Sequence, residues 1–181
     1  MIYAILADGF EEIEAICVID ILRRAQIEIK TVSIGSTNIV KGAHGISVMS
    51  DLLINDINND YDMIFLPGGY PGYVNLKQSK EVIDLLHLAN NNGKKIAAIC
   101  AAPSVLGGEG LLTDKDACCF PGFEDELNCK NVLYDDVVCS GNIITSRGAG
   151  TAHKLGFKLV EIFAGNQKAD ELRKTMVYTN E

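Results

Sequence analysis

The first 35 residues read as a strand, a helix and a second strand joined by short connections, and this narrows the choice of fold more than any other feature. Ile2 to Ala7 is an apolar run that stops at the turn Asp8-Gly9-Phe10. From Glu11 to Arg24, Ile13, Ile16, Cys17, Ile19, Ile21 and Leu22 recur at a broadly helical spacing that Asp20 interrupts. Glu11, Glu12 and Glu14 load the first turn, and Arg23 and Arg24 the last, as the helix dipole favours. A second run, Glu28 to Ile34, closes at Gly35. Strands joined through a helix run parallel, so the chain begins as an α/β sandwich around a mostly parallel sheet.

The remainder continues this pattern. Asn38 to Ile57 is less regular, and Gly42 and Gly45 suggest a hairpin or excursion. Met63 to Leu66 is a short buried strand closed by Pro67-Gly68-Gly69-Tyr70-Pro71-Gly72, and Ser79 to Asn91 reads as helix. Short strands are expected near Ala117–Phe120, Val137–Cys139 and Ile143–Thr145. The turn Ser146-Arg147-Gly148-Ala149-Gly150 then opens a helix from Thr151 to Ala164, and an amphipathic segment, Lys168 to Met176, follows. No repeat or linker interrupts the chain, so residues 1–181 are expected to form one domain.

Within that frame Cys100 stands out. The apolar run from Ile96 to Ile99, flanked by Gly93, Lys94 and Lys95, reads as a buried strand, and Ala101-Ala102-Pro103 leads into a helix with proline in its first turn. Cys100 therefore falls on a strand-to-helix turn, with small neighbours of the kind a nucleophile elbow requires. The free amides of a helix N-terminus favour a thiolate and are expected to bring the thiol from ~8.5 into a range of roughly 3.5–7.5. Ligands of parallel sheets collect beyond the carboxyl ends of the strands. Cys100, Gly68-Gly69 and the loop before Glu14 are all placed there.

Composition excludes several classes of function. A net charge of −8, with no Lys/Arg-rich tract, leaves no electrostatic footprint for nucleic acid or an anionic membrane. No apolar run approaches the ~20 residues of a membrane span, and Met1 to Gly9 lacks the basic start and length of a signal peptide, so a cytoplasmic location is expected. The six cysteines do not read as a disulfide framework in a chain with 48% apolar residues. Cys17 and Cys139 are expected to be small core residues. Cys118, Cys119 and Cys129 form no C-x-x-C motif and have no nearby histidine, which argues against a zinc site; no metal or cofactor is expected.

Four stretches carry a family resemblance: Ala7-Asp8-Gly9-Phe10-Glu11-Glu12-Ile13-Glu14, Leu66-Pro67-Gly68-Gly69, Ala97-Ala98-Ile99-Cys100-Ala101-Ala102-Pro103 and Thr145-Ser146-Arg147-Gly148-Ala149-Gly150-Thr151. In this order the chain resembles the DJ-1/ThiJ/PfpI superfamily, most closely its Parkinson-disease-protein and ThiJ/YajL-like branch. The resemblance implies a flavodoxin-like three-layer sandwich, related to class I glutamine amidotransferases, and a homodimer. It implies that Cys100 is the reactive cysteine, Glu14 the acid facing it, and Gly69 and Ala101 the source of backbone amides lining the site. Gly68, Phe120, Arg147 and His44 are candidate pocket residues. His44 falls where relatives often place an arginine contributed by the partner subunit, and Phe120 where many have a histidine. His153 matches no family catalytic position and reads as a surface or packing residue.

Without a Cys–His pair, Glu14 is left as the acid–base group, its pKa raised by burial and by the neighbouring thiol. The resemblance then implies a cofactor-independent glyoxalase or deglycase, in which the Cys100 thiolate attacks a reactive aldehyde such as methylglyoxal or its early glycation adducts. The alternative is a redox sensor or oxidative-stress chaperone that works through Cys100 oxidation. A protease is less favoured, because Ala101 stands where those branches place histidine. An amidotransferase needs a His-x-Glu pair, which His44, His87 and His153 do not provide. A role in thiamine biosynthesis has no phosphate-binding loop to support it.

Overall fold

The computed structural model describes residues 1–179. The opening unit forms as its pattern predicts: β1 (Ile2–Leu6), α1 (Glu12–Arg24) and β2 (Ile29–Ser33), with β1 and β2 parallel. The irregular stretch is a hairpin, β3 (Ile39–Lys41) against β4 (Ser47–Met49), followed by the two-residue β5 (Leu52–Leu53). Next come β6 (Met63–Leu66), α2 (Gly72–Gln78), α3 (Lys80–Asn91), β7 (Lys95–Ile99) and α4 (Pro103–Gly108). The last third comprises β8 (Asp116–Ala117), β9 (Asn131–Val132), β10 (Val137–Ser140), β11 (Ile143–Ser146), α5 (Ala152–Ala164) and α6 (Asn166–Thr175).

The main sheet has seven strands in the order β10-β11-β7-β6-β1-β2-β5, parallel throughout except for the antiparallel pair β10–β11. Period-two alternation sends its side chains into two separate cores. Ile2, Ala4 and Leu6 join Phe65, Ile99 and residues of α1 and α5 on one face, while Tyr3 and Ile5 join Ile64, Ala98 and residues of α3 and α4 on the other. A sheet buried on both faces by helices is a three-layer α/β sandwich, the flavodoxin-like arrangement. Strand order reverses at β1, between β2 on one side and β6 on the other, so a crevice opens beyond the carboxyl ends of β1, β6 and β7.

Several local expectations need correction. In α1 the buried face is Ala15, Val18, Ile19, Ile21 and Leu22, whereas Ile13 and Ile16 lie in solvent; helical spacing alone does not say which flank of an apolar stripe meets the sheet. Cys139 is exposed, because it lies on the outermost strand with only one neighbour, and Cys17 is half-buried against the core rather than within it. The strand expected near Ala117–Phe120 is confined to Asp116–Ala117, since beyond it Phe120 donates its N–H to the Cys100 carbonyl at 2.8 Å. Helix α2 lies in a segment that the sequence left unassigned. No helix among the described residues is long and apolar enough to cross a membrane.

Candidate active site

Cys100 follows the last residue of β7 with φ at +66°, in the left-handed region that costs a residue bearing a Cβ of order 1–3 kcal/mol. The surrounding chain enforces this turn. Cys100 donates its N–H to the Ser146 carbonyl at 3.0 Å, Ala102 donates to Ile99 at 3.0 Å, and Phe120 donates to the Cys100 carbonyl at 2.8 Å. These bonds fix the elbow to β11 on one side, while β6 flanks it on the other.

Glu14 arrives from the first turn of α1. Glu11 caps that helix by accepting the Glu14 N–H on its carboxylate at 2.8 Å, and its own N–H donates to the Gly68 carbonyl at 2.9 Å. The Glu14 carboxylate is buried, accepts the Gly68 N–H at 2.9 Å and faces the Cys100 side chain across Gly68. Only glycine fits between them. A Cβ at position 68 would lie 2.7 Å from the Cys100 Cβ and 2.8 Å from Glu14 Oε2. Gly69 has φ at +95°, which turns its amide toward the sulfur.

Burial pushes the Glu14 carboxyl up to about 7, helped by the Glu11 charge and opposed by its bonds to Cys100 and Gly68. Burial also pushes the Cys100 thiol up, and an ionised Glu14 beside it pushes in the same direction; the Ala101 and Gly69 amides pull it down. This corrects the expectation of a thiolate made by a helix N-terminus. Helix α4 begins only at Pro103, is six residues long, and the Ala102 and Ser104 amides are already bonded to Ile99 and Ala101. The carboxyl and thiol instead oppose each other's ionisation.

Of the remaining candidates, His44 stands on the hairpin, exposed, with Nδ1 2.9 Å from Glu12 Oε2 and 3.7 Å from Glu11 Oε1. Its hydrogen bond and charge interaction with Glu12 raise its pKa. Glu12 is a residue whose role the sequence missed. It is buried and accepts the His44 and Ile46 N–H groups, and these bonds overcome the upward push of burial to hold its carboxyl below the usual range. The sequence signal is Gly42, where any side chain would collide with this carboxylate. Phe120 packs its ring over Gly148, beside Arg147. The Arg147 guanidinium lies over the ring of exposed Tyr134, 5.8 Å from its centroid, a contact that no motif announces. His153 is exposed and stacks on Tyr178.

Three comparisons bear on this geometry. A sequence model described as the DJ-1/PfpI family matches residues 1–162. Protein dj-1beta of Drosophila melanogaster is 37% identical over 176 residues, covering 96% of this chain and 94% of the relative. A protein of Caenorhabditis elegans named glutathione-independent glyoxalase DJR-1.2 is 34% identical over 169 residues, 92% of this chain and 89% of that one. Among solved structures, Toxoplasma gondii DJ-1, described as oxidized, superposes with a TM-score of 0.95 at 35% identity, covering 99% of this chain and 98% of its own.

Proposed function

The chain belongs to the DJ-1/PfpI family, and from that premise we propose that Cys100 and Glu14 form the centre of a glutathione-independent glyoxalase acting on small reactive aldehydes. The observation that carries this reading is the buried Glu14 carboxyl set beside Cys100 with only a glycine, Gly68, between them. The C. elegans relative that bears the glyoxalase name supports the reaction class.

With methylglyoxal, Glu14 takes the Cys100 proton as the sulfur adds to the aldehyde carbon. A C–S bond forms, and the carbonyl π pair moves to oxygen, where the Gly69 and Ala101 amides hold the charge until Glu14 returns the proton. Glu14 then removes the hydrogen on the former aldehyde carbon as a proton and delivers it to the neighbouring ketone carbon, with the oxygen protons rearranged. The first carbon is thereby oxidised to a thioester as the second is reduced to a carbinol. Water cleaves the thioester, restoring the thiol and releasing lactate. The sum is aldehyde plus water to hydroxy acid, with no external oxidant or reductant. Early glycation adducts, which carry the same masked carbonyl, are the corresponding deglycase substrates. Following lactate by NMR in a mixture lacking glutathione tests the proposal; no formation above the uncatalysed rate would exclude it.

A second reading, redox sensing, draws on the oxidized Toxoplasma relative. Hydrogen peroxide would transfer one oxygen to the Cys100 sulfur with release of water, and a second to give the sulfinate, which Glu14 and the Gly69 and Ala101 amides could bind. Loss of aldehyde turnover upon such oxidation would give the two readings a common site.

A second copy of the chain is the partner we assign to the apolar face formed by Ile13 and Ile16 of α1 with Ile46 and Met49 of the hairpin, all exposed. Ile16, Val48 and Met49 also line a groove of about 280 Å³ there. Sedimentation should give a dimer for the wild type and a monomer for Ile16→Asp combined with Met49→Asp.

A further inference from the structure

We propose that Glu11 and Glu12, at the start of α1, and His44 of the β3–β4 hairpin form a zinc site that ties the hairpin to the helix. Glu12 Oε2 lies 2.9 Å from His44 Nδ1, and Glu11 Oε1 lies 3.7 Å from the same nitrogen. Each of the three residues offers one ligand atom, and these atoms fall within 4.8 Å of one another. A tetrahedral Zn²⁺ with bonds of about 2.0–2.1 Å needs its ligand atoms roughly 3.3 Å apart. Both distances from Nδ1 already lie within about half an ångström of that spacing.

Each carboxylate has one oxygen fixed by the backbone and the other turned to the imidazole. Glu12 Oε1 accepts the His44 N–H at 2.8 Å and the Ile46 N–H at 3.3 Å, which leaves Oε2 for a metal. Glu11 Oε2 accepts the Glu14 N–H at 2.8 Å, which leaves Oε1. Such partners behind a ligand orient it and decide which of its atoms is free. Gly42 lets the hairpin come this close, since a Cβ there would lie 2.3 Å from Glu12 Oε1. The Glu11 and Glu12 side chains are 13% and 8% exposed, whereas that of His44 is 71% exposed. The metal would rest on two sheltered carboxylates, with a neutral imidazole that keeps its proton on Nε2 and a fourth position open to water.

The donor set selects the ion. One imidazole nitrogen with two carboxylates suits Zn²⁺, whereas Mg²⁺ and Ca²⁺ take oxygen throughout. The two carboxylates outweigh the roughly +0.5 charge of the helix N-terminus, so the local field favours a cation. A plain histidine–carboxylate hydrogen bond would need Glu12 alone; a metal gives a use to the second carboxylate at the same nitrogen. His44 lies 32 positions beyond Glu12, so no motif announces the set, and the cysteine spacings that argue against zinc do not bear on it. Bound zinc would also firm the turn that presents Glu14.

Zn²⁺ titration of the Cys100→Ser protein, followed by NMR of the imidazole nitrogens, tests the site with the rival thiol removed. The chain has three histidines, so their signals are readily told apart. Those of His44 should shift and saturate at one Zn²⁺ per chain while His87 and His153 stay in place, and Mg²⁺ should move none of them. Glu11→Gln and Glu12→Gln should each weaken zinc by about a hundredfold or more, since loss of a supporting partner alone costs about ten- to a hundredfold. Zinc should raise the melting temperature of Cys100→Ser by linkage, and this rise should vanish when His44→Ala is added. His44 is exposed, so its substitution leaves the fold intact even where Glu12→Gln does not. His44 signals that stay in place, that move equally with Mg²⁺, or that move alike in a folded Glu12→Gln protein overturn the proposal. So does a melting temperature that zinc raises equally with and without His44→Ala, since another group then holds the metal. No part of this measurement depends on aldehyde turnover, so its failure is distinct from failure of the glyoxalase reading.

Discussion

Cys100→Ser should lower methylglyoxal consumption by about a thousandfold or more, with the melting temperature almost unmoved. Serine fills nearly the same volume, bears the same left-handed backbone and can still meet the Gly69 and Ala101 amides. What it lacks is acidity: Glu14, even raised to about 7, is far too weak a base to ionise an alcohol. Loss of turnover in a fully folded protein therefore isolates the sulfur. Unchanged consumption would remove Cys100 from the reaction and with it the proposed function.

Glu14→Gln should lower turnover by about a hundred- to ten-thousandfold, the range associated with a positioned acid–base group. Glutamine can still accept the Gly68 N–H, so this variant separates proton transfer from positioning. The pH profile makes the separation sharper. Below about 7 the pair holds both protons and cannot give up a thiolate, so wild-type activity should rise as pH passes upward through that value. In Glu14→Gln this limb should be absent. Stability follows the opposite course. A folded-state pKa raised from 4.5 to about 7 means that the native protein binds the proton more tightly than the unfolded chain does. That contribution is full below about 4.5 and lost as pH rises through about 7, a decline of about 3 kcal/mol. Chemical denaturation of both proteins across this interval should show the slope in the wild type and its loss in Glu14→Gln. A wild-type profile flat in both activity and stability would contradict a buried carboxyl at this position.

Much of the fold was legible because it depends on short-range pattern. The continuous apolar runs Ile2–Leu6 and Met63–Leu66, and the breaks at Gly35 and Gly68-Gly69, are sufficient to place parallel strands with helices between them. The Cys100 elbow was legible for the same reason, since strand, small residues and proline are contiguous. The errors arose where the outcome depends on what lies across space. Whether Ile13 and Ile16 face the sheet or the solvent depends on the rotation of α1, which the packing of Val18, Ile21 and Leu22 decides. Cys139 has strand-like neighbours but lies on the outermost strand. The ionisation of Cys100 depends on a carboxylate 86 positions earlier in the chain, and the contact itself on the absence of a side chain at Gly68. The resemblance supplied the pairing of Glu14 with Cys100, which spacing alone could not. The motif makes Arg147 a candidate pocket residue, but its contact with Tyr134 and its buried Nε are properties of three-dimensional surroundings.

The two ends of the main sheet bear on how the molecule meets copies of itself. At one end β5 is two residues long, and at the other β10 has only four residues and runs antiparallel to its neighbour. Neither offers the long, straight ladder of free backbone groups on which strands add without limit. Association is thereby left to side chains, and in the dimer we propose, the patch on α1 and the hairpin would bind its own image about a twofold axis and be used up in the act. Blunted edges favour a particle of fixed size over a growing filament, so if the proposed dimer forms, raising the concentration should increase the number of dimers and not their length.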